Sequence, residues 1–127
     1  MAIYTDTKIA QGPFLFISGQ TPSQDGATPE DPQEQTTIVL KKIEQLLSAN
    51  QLSWSSVVKM TVFLTDAAYL AAVRTAFTTI LAENKPAMSL VIVAGLVAPE
   101  FKVEIEAQAT MAKAQRKTPK KTSYKRQ

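Results

Sequence analysis

Val58-Lys59-Met60-Thr61-Val62-Phe63-Leu64-Thr65-Asp66 is the stretch on which the fold turns. Val58, Met60, Val62 and Leu64 alternate with Lys59, Thr61, Phe63 and Thr65, the two-residue period of a strand with one buried face. Asp66 can cap a following helix, for which Leu70, Val73, Phe77, Ile80 and Leu81 form an apolar stripe at helical spacing. That helix is expected to stop by Asn84, ahead of Pro86. Residues 87–94 read as a buried strand. Residues 101–110 alternate cleanly, with Phe101, Val103, Ile105, Ala107 and Ala109 on one face and Lys102, Glu104, Glu106, Gln108 and Thr110 on the other. Upstream, residues 2–9 and 13–20 read as strands around the Gln11-Gly12-Pro13 turn signal, and residues 21–31 are loop by composition. Asp31, Pro32 and Glu34 form a helix start, followed by Val39, Leu40, Ile43, Leu46 and Leu47 at helical spacing and an expected end near Asn50. The expected order is β-β-α-β-α-β-β, an α+β layout with two helices on one face of a mixed sheet.

The 127 residues suffice for one domain of ordinary size, and 45% hydrophobic with 20% charged residues is ordinary globular composition. The absence of cysteine excludes disulfides, thiolate nucleophiles and thiolate metal sites, and the absence of histidine excludes serine–histidine and cysteine–histidine catalysis. Chemistry here must rest on carboxylates, hydroxyls, lysine or arginine, backbone groups and water; no cofactor or metal is implied. The apolar run Leu90 to Ala98 is too short to span a bilayer, and a cytoplasmic protein is expected.

The net charge of +3 hides a division. Residues 1–111 hold seven basic and eleven acidic side chains. Residues 112–127 hold Lys113, Arg116, Lys117, Lys120, Lys121, Lys125 and Arg126 with no acid. We therefore expect a mildly acidic domain over 1–111 and a basic, unstructured tail over 112–127. Residues 113–127 suit nonspecific binding to RNA or another polyanion, with Tyr124 the lone stacking ring.

Four stretches together resemble the Rid family, also called the YjgF or liver perchloric-acid-soluble protein ("endoribonuclease L-PSP") family. They are Phe16 to Pro22, Val58 to Asp66, Lys85-Pro86-Ala87 and Val103 to Ala107, in matching order across residues 3 to 110. The resemblance implies a chorismate-mutase-like subunit, a homotrimer with a small-molecule cleft between neighbours, and hydrolysis of enamines and imines such as 2-aminoacrylate to 2-oxo acids and ammonia. Some family members are described as ribonucleases or translation inhibitors.

The family's cleft holds the substrate carboxylate with an arginine just after the Pro-Ala pair, and here that position is Met88. Arginine offers a rigid fork of donors to a carboxylate, and methionine offers none. The nearby family cysteine is Leu90, and a family asparagine on the second helix aligns with Arg74. Tyr4 lies one residue off the family's N-terminal tyrosine. Ser18, Gly19 and Glu104 are retained. The resemblance assigns Glu104 to the positioning of water, with Ser18 beside it, and Gly19, Arg74, Met88 and Leu90 to the substrate. Glu106 points the same way as Glu104 and reads as structural. Met88 and Leu90 read equally as apolar packing, and Arg74 as a solvated charge or a substitute clamp. Three functions stay open: a weak or inactive imine deaminase, a non-enzymatic ligand-binding or regulatory trimer, and a ribonuclease-like member working through its tail.

Overall fold

The computed structural model describes residues 2–112. The basic segment read as a tail lies outside the described residues, apart from Ala112. Four strands and two helices follow in the order β1 (Phe14–Gln20), α1 (Pro32–Ala49), β2 (Val57–Leu64), α2 (Leu70–Leu81), β3 (Ala87–Ile92) and β4 (Val103–Thr110). The sheet order is β1-β4-β2-β3. β1 and β2 both pair antiparallel with β4, and β2 pairs parallel with β3, so the sheet is mixed, as expected.

The first expected strand is not formed. Within residues 2–9 only Thr5 bridges to Ala87, with its N–H donating to the Pro86 carbonyl at 3.0 Å. The element order is accordingly β-α-β-α-β-β. The physical reason is burial: Ile3 reaches the core, whereas Ile9 is fully exposed. A strand whose apolar positions do not share a buried face gains little from extending.

Both helices pack on one face of the sheet through a continuous core. It includes Val39, Leu40, Ile43 and Leu47 of α1, Val73 and Phe77 of α2, and Val62, Leu64, Ile105 and Ala107 of the sheet. Asp31 caps α1 by accepting the Glu34 N–H at 2.9 Å. Leu46, expected on the buried stripe, is 40% exposed, and Gln35 and Thr36 are buried instead. Asp66 caps a single turn, Ala67–Tyr69, that leads into α2.

Two bulges interrupt the strand alternation. In β2 the register shifts between Val57 and Lys59, so Val57 is fully buried and Val58 is not. This corrects the expectation that Val58 faces the core. In β1 the register shifts between Ile17 and Gln20, across Ser18 and Gly19. No helix among the described residues is long and apolar enough to cross a membrane.

Candidate functional site

The β4 alternation sends Val103, Ile105, Ala107 and Ala109 into the core. Glu104, Glu106 and Gln108 therefore lie on the opposite face of the sheet, which no helix covers. Glu106 pairs in register with Thr61 and Glu104 with Phe63. On the same open face the Lys59 ammonium donates to the Ser89 hydroxyl at 3.1 Å. A shallow hollow of about 210 Å³ lies there, with Phe16, Ser18, Lys59, Thr61 and Glu106 among its walls. Phe14 and Phe16 are 42% and 69% exposed.

The bulge in β1 is where two of the retained residues meet. The Glu104 side chain lies directly over Gly19. A methyl group at Gly19 would overlap the Glu104 carboxylate and stand 2.9 Å from its Cδ and 3.1 Å from its Cγ. A bare glycine at the bulge thus makes room for the half-buried carboxylate. Ser18, exposed next to it, borders the open-face hollow with Glu106, and its carbonyl accepts the Gln20 side-chain amide at 2.9 Å.

Met88, Leu90 and Arg74 form a second group elsewhere. Met88 and Leu90 pair with Met60 and Val62, both fully buried, so they face the helix side of the sheet and pack against the core. They line a groove of about 340 Å³ at the outer edge of the sheet, together with Ile3, Tyr4, Leu70 and Arg74. The two groups lie on opposite faces of the sheet, one on β1 and β4 and the other at the β3 edge. Tyr4, out of register with the family's tyrosine in sequence, lines this groove and is 44% exposed.

Gln35 is the positioning residue that sequence reasoning missed. It is wholly buried and fully hydrogen-bonded. Its amide donates to the Pro29 and Glu100 carbonyls at 2.8 and 3.0 Å, and its carbonyl accepts the Lys102 N–H at 2.8 Å. It fastens the start of α1 to the segment entering β4, two residues before Glu104. A glutamine inside an amphipathic helix carries no signal of this role. Among the described residues, no group of three or more acidic side chains is placed to hold a metal ion.

An α+β subunit with two helices on one face of a mixed four-stranded sheet, the other face open and a glycine bulge beneath a strand glutamate, defines a class of protein. The chain belongs to the endoribonuclease L-PSP family, known also as the Rid or YjgF family: the family model of that description matches residues 1–111. It is 36% identical over 103 residues to TdcF of Escherichia coli strain K12, named as a reactive intermediate deaminase, covering 77% of this chain and 79% of that protein. It is 38% identical over 105 residues to a RutC family protein of Pyrococcus horikoshii, covering 80% of this chain and 82% of that one. Its fold matches the crystal structure of Escherichia coli TdcF with bound serine at a TM-score of 0.74 and 32% identity, over 88% of this chain and 91% of that one. The Escherichia coli YjgF gene product matches at a TM-score of 0.73 and 30% identity, over 88% and 99%.

Proposed function

We propose that this protein is a cytoplasmic homotrimer that holds a small molecule in clefts between neighbouring subunits, and that its hydrolysis of 2-imino acids is weak or absent. The carrying observation is the separation of the two residue groups. Glu104, Ser18 and Gly19 belong to the open face around β1 and β4, whereas Met88, Leu90 and Arg74 belong to the groove at the β3 edge. One copy of the chain does not bring both groups around one small molecule. A second copy, packing its open face beside that groove, completes the site. The relative with bound serine supports a small ligand bearing a carboxylate.

In this cleft Glu104 holds the attacking water near the imine carbon, and Ser18 assists from the bulge. Holding water and substrate in reacting geometry is what such a site supplies in place of a cofactor. Met88 cannot hold the carboxylate of a 2-imino acid. Losing one partner of a desolvated charge pair costs about 2–5 kcal/mol, roughly 30-fold to several thousandfold. The same residue favours the second reading, a trimer that binds a ligand without turning it over.

The test is to generate 2-aminoacrylate enzymatically and follow its consumption. Wild type is expected to be slow, and Met88→Arg faster. Turnover by wild type equal to that of an arginine-bearing relative would refute the impaired site.

A further inference from the structure

The loop between β1 and α1 carries a two-residue turn, Asp25-Gly26. Gln24 and Ala27 exchange backbone hydrogen bonds across it at 2.8 and 3.0 Å. Both turn residues have positive φ, 54° at Asp25 and 80° at Gly26, as a turn of this hand requires. Both are exposed, and a Cβ at Gly26 would meet nothing within 4 Å. The turn therefore stands clear of the body. Among the described residues the Gly26 N–H donates to no group and the Asp25 carboxylate accepts from none.

The chain has four aspartates and two asparagines, and none of the others combines these conditions. The carboxylates of Asp31 and Asp66 accept the Glu34 and Ala68 N–H groups at 2.9 and 2.8 Å, and Pro32 after Asp31 has no N–H to offer. The side-chain amides of Asn50 and Asn84 donate to the Leu46 and Leu81 carbonyls at 3.0 and 3.1 Å. Asp6 is exposed, but Thr7 follows it, and a β-branched side chain crowds the N–H beside it.

We propose that Asp25-Gly26 is a self-modifying site at which Asp25 converts to isoaspartate. The Gly26 nitrogen attacks the side-chain carboxyl carbon of Asp25. A C–N bond forms, and the carboxyl hydroxyl leaves with the amide proton as water, closing a five-membered succinimide. Water then adds at the ring carbonyl that belonged to the backbone and breaks its bond to the Gly26 nitrogen. The chain now runs through the Asp25 side chain, and the former backbone carbonyl is a free carboxylate. One water is lost and one regained, with no other reactant. Glycine favours the first step because no side chain shields its nitrogen and its backbone turns freely. An intramolecular attack is fast in proportion to how easily the two atoms meet. The extra backbone carbon lengthens the turn, so Gln24 and Ala27 lose their register. The Lys42 ammonium, donating to the Thr21 and Ser23 carbonyls at 2.7 and 2.5 Å, keeps the start of the loop on α1. The change is thereby confined to the turn, and it marks a folded protein with its age. Nothing in it depends on the intersubunit cleft.

The experiment incubates the full chain for several weeks at neutral pH and body temperature. Electron-transfer fragmentation of its peptides then separates isoaspartate from aspartate of equal mass. Isoaspartate at residue 25 is expected to exceed that at Asp6, Asp31 and Asp66 by about tenfold or more. Gly26→Ala should lower it by about tenfold or more. Asp25→Glu, which would have to close a six-membered ring, should leave no isomer at that position. Aged protein should keep the Tm of fresh protein, while amide exchange at Gln24 and Ala27 becomes faster. Residue 25 remaining aspartate, equal isomer at Asp6, or a Gly26→Ala protein that isomerises like wild type would each overturn the site. A Tm that falls as isomer accumulates would overturn its confinement to the turn.

Discussion

Glu104 and Gly19 are the pair on which the water-positioning half of the site depends. The carboxylate sits where a Cβ at residue 19 would be, and it is the movable end of a flexible side chain. Gly19→Ala should therefore displace Glu104 without breaking the fold. We expect a stability change within about 1 kcal/mol, as for substitutions away from the core, measured by thermal unfolding. Turnover of 2-aminoacrylate in the Met88→Arg background should fall to the level of Glu104→Gln. A Gly19→Ala protein that unfolds early would mean that the glycine serves the strand rather than the carboxylate. Glu104 was legible from the period of residues 101–110. The contact with Gly19 was not, because it arises from pairing between strands 80 and more residues apart in sequence.

Among the elements, β4 has an entry that Gln35 fastens to α1, alongside the turn in which the Phe101 N–H donates to the Ala98 carbonyl at 3.1 Å. Replacing Gln35 by leucine keeps the volume approximately and strands the Lys102 N–H and the Pro29 and Glu100 carbonyls. An unsatisfied buried polar group costs about 1–3 kcal/mol. We expect a loss of about 2 kcal/mol or more, a drop in Tm of roughly 8 °C or more for a domain near this size. Gln35→Glu, which keeps an acceptor and loses the donor, should also be destabilised. Equal melting of wild type and Gln35→Leu would show that water replaces the amide. The helices followed from capping and stripe; the β1 and β2 bulges did not, because a bulge is a property of two strands in register.

At the scale of the whole molecule, one sheet face is covered by helices and the other exposes Phe16 beside Lys59, Thr61 and Glu106. We propose that copies of the chain associate through this face, which no helix covers. Light scattering at micromolar concentration should give about three subunit masses, and a stable monomer would sink the intersubunit cleft. Residues 113–127 carry all seven basic side chains of the C-terminal segment. We propose that this segment is a separate polyanion-binding tail. Its deletion should leave the Tm and the oligomeric state nearly unchanged. Any binding to RNA should fall steeply with salt in the intact chain and vanish in the shortened one. RNA held equally tightly without the tail would refute that role.

The sequence by itself determined the element types, the mixed α+β class, the family and the face on which Glu104 lies. The elements and the face follow from local period and capping, contained within a few neighbouring residues, and the family from four short motifs in order along the chain. Only the tertiary structure decided that residues 2–9 form no strand, that Val57 rather than Val58 is buried, and that Arg74 shares a groove with Met88 and Leu90. Each of those depends on which surfaces meet after folding. A strand pattern becomes a strand only where a sheet edge and a buried face receive it, and residues 2–9 meet that edge at Thr5 alone.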